Sequence, residues 1–151
     1  MLTDSEKKIL RALGKDPRAS FRKLAKRAGL SPATLIQKVR GLEGKGVIRR
    51  YSADLDPEKM GYTITALVEV QAKRGMQLRA EKELAGLANV CALYELTGSF
   101  DFAIIARFRD RDELSKFVRE LLLTEPVERT NTRIVLASLK EDFSGASLAG
   151  R

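Results

Sequence analysis

The sequence predicts an α+β protein: three short helices in the first third, then a βαββαβ run that forms an antiparallel sheet backed by two helices. Three observations carry this. Apolar residues of the first third recur at helical spacing in three stretches, each with its own start and stop signals. From Thr63 onward, runs that alternate apolar with polar are interleaved with runs of helical period. The charge is divided between the two parts. The 151 residues carry 28 Lys and Arg against 20 Asp and Glu, a net +8. Residues 1–50 hold 14 basic and 4 acidic side chains (+10), and residues 51–151 hold 14 and 16 (−2).

The first helix is expected from Asp4 to Leu13. Thr3 can cap it, Asp4 and Glu6 suit the positive end of its dipole, and Ile9, Leu10 and Leu13 form its inner edge. Gly14 and Asp16-Pro17 stop it. The second runs from Ser20 to Ala28, with Phe21, Leu24, Ala25 and Ala28 inward and Gly29 just past its end, where a left-handed residue is wanted. Ser31-Pro32 starts the third, with Ser31 as cap and Pro32 in the first turn, where its missing N–H costs nothing. Leu35, Val39 and Leu42 are its inner face. Small Ala25 lets the helices approach, Gly29 makes the turn, and Leu30 fills the angle between them. This is a helix-turn-helix over residues 1–50. Gly46 to Tyr51 reads as a turn into a short strand, whose Arg49 and Arg50 either form a small wing or only solubilise a strand edge. Residues 51–62 form a linker strand and hinge around Asp56-Pro57 and Gly61.

In the second part, Thr63 to Ala72 alternates as a half-buried strand, with Ile64, Ala66, Val68, Val70 and Ala72 on one side. Met76 to Ala88 is helical through Ala80, Leu84, Leu87 and Ala88. Val90 to Thr97 and Phe102 to Phe108 form a hairpin bent near Gly98. Arg111 to Leu123 is a helix with the stripe Leu114, Phe117, Val118, Leu121 and Leu122. Val127 to Leu139 is a long last strand. The domain is ferredoxin-like over residues 63–142, and 143–151 form a flexible tail. Helices cover one face of its sheet. The other, with Leu67, Leu93, Val135, Ala137 and Leu139, is an apolar face of the kind that pairs with another copy, so a homodimer is expected. Cys91 reads as a small core or interface residue. Glu95 faces either the dimer interface or a ligand cleft.

Composition removes several classes of function. No apolar run approaches the length of a membrane span, and no signal-peptide apolar region opens the chain, so a cytoplasmic protein without membrane contact is expected. A single cysteine forms no internal disulfide. With no histidine there is neither a His-containing triad nor a His-based metal site. The second part shows no nucleophile–base pair, phosphate loop or cofactor motif. Neither enzymatic activity nor a cofactor is therefore expected.

The third helix points Ala33, Thr34, Gln37, Lys38 and Gly41 away from its apolar stripe, with Arg40 near the edge. Such a face suits a DNA major groove. Gln37 can donate and accept at a base edge, and Lys38 and Arg40 can reach guanine or phosphate. Ser31 and the helix's first amides suit a phosphate oxygen. Arg22, Lys23, Lys26 and Arg27, with Arg49, supply further cations.

Several stretches together resemble one family, the Lrp/AsnC or feast/famine transcriptional regulators. They are Leu2 to Leu10, Leu30-Ser31-Pro32-Ala33-Thr34 with Leu42-Glu43 and Gly46-Val47-Ile48, Asp56-Pro57 with Gly61-Tyr62, Thr97-Gly98-Ser99-Phe100-Asp101, and Val127 to Thr132. The resemblance runs from Leu2 to about Asp142. Two positions depart: Lys38 stands where the family often has arginine, and Gly41 replaces a long, often basic residue at a cost of about 1 kcal/mol in helix propensity. The resemblance implies an amino acid or related effector bound between dimers, and assembly into higher oligomers, often octamers. It places Gly98, Ser99, Asp101, Thr130 and Thr132 at the effector. Asp101 could hold an ammonium, and the Gly98 and Ser99 amides or the threonine hydroxyls a carboxylate. Alternatively, Gly98 and Asp101 serve the turn alone. The expectation is a sequence-specific DNA-binding regulator modulated by such an effector. The alternative is a non-specific architectural protein that compacts DNA. RNA binding through the open sheet face would need aromatic residues where this sheet has mostly aliphatic ones.

Overall fold

The computed structural model describes residues 2–143, Gly145, Leu148 and Ala149. Its elements in chain order are α1 (Asp4–Lys15), α2 (Phe21–Ala28), α3 (Pro32–Gly44), β1 (Ile64–Ala72), α4 (Gln77–Ala85), β2 (Val90–Glu95), β3 (Phe102–Phe108), α5 (Arg111–Leu123) and β4 (Val127–Ile134). They fall into two compact units, Met1–Asp54 with Leu139–Arg151, and Leu55–Ser138. No helix among the described residues is long and apolar enough to cross a membrane.

The first unit is a three-helix core. Ile9, Leu24, Leu35, Val39 and Leu42 are fully buried, with Ala25 and Ala28 between them and Leu30 and Ile48 against the rim. Each buried leucine or isoleucine contributes about 1.5–3 kcal/mol. All three helices start on a hydroxyl cap: Thr3, Ser20 and Ser31 accept from the amides of Glu6, Lys23 and Thr34. α2 and α3 end alike. Gly29 and Gly46 adopt φ +68. Leu30 N–H then reaches back to the Ala25 carbonyl (2.9 Å), and Val47 N–H to that of Leu42 (2.9 Å). These are Schellman ends, which a left-handed glycine makes cheap. The second of them overturns the strand expected from Gly46 to Tyr51. The turn binds Val47 and Ile48 to the end of α3, and among the described residues no strand includes 46–51. α1 also runs on through Gly14 to Lys15, stopping only before Asp16-Pro17.

In the second unit the sheet order is β2-β3-β1-β4, antiparallel throughout, the ferredoxin-like arrangement. Ala66, Val68, Val70, Ile104, Ala106 and Phe108 form its covered face beneath α4 and α5. The Phe108 and Phe117 rings meet edge to face at 5.1 Å. Three expected lengths are corrected. α4 stops at Ala85, and Gly86 turns the chain, leaving Leu87 and Ala88 exposed. β2 stops at Glu95, where Leu96 N–H closes a loop on the Asp101 carbonyl (2.7 Å). β4 stops at Ile134, because β1 begins at Ile64 and offers no partner past the Val135–Thr65 bond. Leu136 and Leu139 follow outside the sheet, 98% and 96% exposed.

A bulge between Val90 and Ala92 corrects the composition of the open face. Leu93 pairs with Ile104 and lies on the covered side, as does Glu95 opposite Phe102, while Cys91 is exposed. The open face carries Leu67 and Ile105 at its centre, with Ala92, Ala103 and Tyr94 alongside. A polar ladder flanks them: Glu69 accepts from Asn131 (2.8 Å) and Arg133 (3.0 Å), and Gln71 from Arg129 (2.6 Å).

Residues from Leu139 onward group with the helical unit, where the Arg11 guanidinium donates to the Ala149 carbonyl (3.2 Å). The tail expected over 143–151 includes Ser144, Ala146, Ser147, Gly150 and Arg151, which lie outside the described residues.

Candidate DNA-binding and effector sites

The outer surface of α3 differs from the sequence expectation at Thr34, Lys38 and Arg40. Gln37, Arg40, Ala33 and Gly41 are exposed, whereas Lys38, Thr34 and Ile36 are half-buried. Arg40 therefore stands on the outward face and Lys38 at its edge, the reverse of the order expected. Ser31 Oγ accepts from Thr34 N–H (3.1 Å) and lies 2.8 Å from the Thr34 hydroxyl, so both hydroxyls serve the cap.

The cations of α2 divide in two. Lys23 and Arg27 pair with Asp16 at 3.0 and 3.2 Å, and the Lys23 hydrogen bond leads in holding that carboxyl below its ordinary range. Among the described residues Arg22, Lys26, Arg40 and Arg49 have no acidic partner, which leaves their charge available to a polyanion.

Two residues without an assigned site role stabilise this unit. Buried Glu6 closes a capping box with Thr3, accepting from its N–H (2.7 Å) and hydroxyl (2.8 Å), and meets Lys45 beyond the end of α3 at 3.6 Å. The Thr3 hydrogen bonds hold its carboxyl below the ordinary range. The Thr-x-x-Glu spacing was the signal for it. Tyr51 donates to Glu43 (2.7 Å), tying the outgoing chain to α3. Burial, then Glu43, pushes its hydroxyl up to about 12.

The loop after β2 is shaped by Gly98, whose φ of +115 a side chain would resist. Asp101 anchors it. Its N–H donates to the Val70 carbonyl (3.0 Å), and its Oδ2 accepts from Ala72 N–H (2.8 Å) at the irregularity in β1. One carboxylate oxygen thus serves the turn. Ser99 is exposed beside it. Thr130 and Thr132 lie elsewhere: they pair with Val70 and Val68, so they face the helices, with β1 between them and the loop. Two strand spacings put them about 10 Å away. Among the described residues the buried Thr132 hydroxyl has no partner. One chain therefore brings Gly98, Ser99 and Asp101 together but not the two threonines. Beside the loop stands Arg129, unassigned from sequence, stacked over the Phe100 ring at 4.8 Å and bonded to Gln71. Its position next to the motif was visible in sequence; its direction was not.

An open hollow of about 520 Å³ lies at the opposite end of β3, near the start of α5. Its Glu113 carboxylate is occupied by Arg109 N–H (2.6 Å) and the Asn89 amide (3.0 Å), which hold it below its ordinary range. These bonds tie Glu113 to the start of α5, where Asp110 is the cap and accepts from Glu113 N–H (2.8 Å).

Residues 65–144 match the family model of the Lrp/AsnC ligand binding domain, and residues 2–49 that of a winged helix-turn-helix DNA-binding domain. The chain belongs to the Lrp/AsnC family of transcriptional regulators. It is 35% identical over 142 residues to an uncharacterized HTH-type transcriptional regulator of Pyrococcus furiosus, covering 94% of this chain and 96% of that one. It is 34% identical over 140 residues to the HTH-type transcriptional regulator FL11 of Pyrococcus horikoshii, covering 93% of each. Among solved structures, it resembles E. coli AsnC (TM-score 0.87, 26% identity, 94% of this chain and 97% of that one). It also resembles a Neisseria meningitidis transcriptional regulator in complex with L-Met (TM-score 0.86, 28% identity, 95% and 96%). As an Lrp/AsnC protein, the chain joins a DNA-binding unit to an effector domain, and it is a DNA-binding transcriptional regulator modulated by an effector. The winged match ends at Arg49, just past the Gly46 turn.

Proposed function

We propose that this regulator binds a two-fold symmetric operator as a homodimer and that an amino acid modulates the binding. The observation that carries the reading is the outer face of α3, where Gln37 and Arg40 are exposed, on a unit whose first fifty residues hold the whole charge excess. Ala33 faces the groove with them, and Thr34, half-buried and bonded to Ser31, lies at the edge. Ser31 and the amides of the α3 N-terminus, with Lys38, Arg22 and Arg49, take phosphates. Dimerisation through the open sheet face, around Leu67 and Ile105, supplies the second α3, and higher oligomers up to an octamer follow by further contacts. The effector's ammonium meets the Asp101 oxygen that Ala72 leaves free, and its carboxylate meets the Gly98 and Ser99 amides. Thr130 and Thr132 contribute only if the occupied site extends across β1. The protein works as a binding switch rather than an enzyme, without cofactor, in the cytoplasm where its DNA lies.

Selection of bound fragments from a random duplex library, with and without pooled amino acids, tests this. A roughly palindromic consensus whose affinity changes with amino acid supports it. Equal affinity for all duplexes of one length supports the architectural alternative instead. In both cases log K falls steeply with log salt, so salt dependence alone does not discriminate.

A further inference from the structure

The face of α3 also indicates which side chains read bases. We propose that sequence is read by Ile36, Gln37 and Arg40, on thymine, adenine and guanine respectively, while Lys38 serves only a phosphate; this rests on α3 being the groove-entering helix. Successive residues turn by about 100° around a helix. Measured against the mean direction of buried Leu35, Val39 and Leu42, Gln37 points almost straight outward and Arg40 lies about 45° from it. Lys38 falls on the inner half of the helix, and its half-buried state agrees. A lysine with its stem packed and its ammonium at the helix edge reaches backbone oxygens beside the groove, not its floor. Arg40 is exposed and, among the described residues, has no bond that would hold its guanidinium back.

The chemistry of each group then selects its base. The Gln37 amide offers one donor and one acceptor, as adenine N7 and N6 require. The Arg40 fork matches guanine O6 and N7. Ile36 is the third member, one turn before Arg40 on the same flank. It is a β-branched apolar side chain at the edge of the outer face, about 90° from outward and half-buried like Lys38, and the thymine methyl is the apolar feature of the groove. The rest of the face stays low. Ala33 carries only a methyl, and a Cβ built at Gly41 would meet nothing within 4 Å. Gln37 and Arg40 are about 4.5 Å apart along the axis. With base pairs about 3.4 Å apart, their targets are adjacent or one step removed.

The test uses full-length protein and its selected half-site, in which uracil replaces thymine or 7-deazaguanine replaces guanine, one position at a time. These changes leave the protein untouched. One uracil per half-site is expected to weaken binding about fourfold, the worth of one buried methyl. Arg40→Ala is expected to erase the preference for guanine at one position, a loss of about 5- to 150-fold, and to make 7-deazaguanine there neutral. Lys38→Ala is expected to weaken all sequences alike and to lower the salt slope by about one per bound α3. A guanine preference that survives Arg40→Ala and disappears in Lys38→Ala overturns the assignment, as does a half-site indifferent to every uracil. If no half-site emerges from wild-type protein, the regulator reading itself fails, a separate outcome.

Discussion

Glu6 closes the first helix on itself and on the end of α3, and its chemistry makes that closure dependent on pH. The Thr3 N–H and hydroxyl stabilise the charged carboxylate, so its folded pKa lies below the ordinary value of 4.5. A depressed acid contributes stability that is full above the unfolded pKa and is lost as pH falls through the folded one. Melting temperature is therefore expected to drop as the solution is acidified below about pH 4.5. Asp16 and Glu113 are held down in the same sense and add to the loss. Glu6→Gln should melt lower than wild type at neutral pH and show a shallower acid decline; an unchanged acid limb would remove Glu6 from this role. Tyr51 has the opposite sign. Its hydroxyl is pushed up to about 12, so the stabilisation it gives is complete below the unfolded value of 10.0 and fades between the two. Tyr51 should ionise late in an ultraviolet titration of the native protein, and Tyr51→Phe should abolish that late step.

The helices show how one substitution takes opposite signs in one small domain. Gly29 holds φ +68, in the left-handed turn that lets Leu30 bond back to Ala25. A side chain there is strained even though the space around it is open. Gly29→Ala is expected to cost about 1–2 kcal/mol. Gly41 lies inside α3 with equally open space and ordinary helical backbone. There alanine should add up to about 1 kcal/mol. Urea melts followed by circular dichroism distinguish the two, and shifts of the same sign would contradict the backbone argument. These elements were legible in the sequence because their caps are local: Ser20, Ser31, Gly29 and Pro32 each act within a few residues. The strand expected after Gly46 was not. Val47, Ile48 and Tyr51 are residue types that suit a strand, but the turn that binds Val47 to Leu42 uses up the N–H groups a strand would need, and a strand requires a partner that local sequence does not name.

At the scale of the whole molecule, the order of the six C-terminal elements followed from their periods, as did the two sides of β1, with Leu67 on the open face, whereas the face membership of β2 and the end of β4 did not. One extra residue at Cys91 turns Leu93 inward, and the β1–β4 register turns Thr130 and Thr132 toward the helices. A bulge or a register is fixed by pairing between distant segments, so alternation within one strand cannot reveal it. The corrected open face is smaller and more mixed than the expected one. Ala92, Ile105, Leu67 and Arg133 form one row across it, and Tyr94, Ala103, Glu69 and Asn131 the next. An apolar centre with a bonded polar rim is the composition of a specific interface rather than of a sticky patch. If copies pair there, Ile105→Glu buries two uncompensated carboxylates at the middle of a symmetric contact. Sedimentation should then show single chains where wild type shows dimers or larger species. Operator affinity should fall with the oligomer, because each free unit holds only one half-site, and its salt slope should roughly halve. The fold itself should survive, since Ile105 points away from the covered core and the far-ultraviolet spectrum reports that core's helices. A variant that keeps both its native mass and its operator affinity would move the interface elsewhere on the molecule.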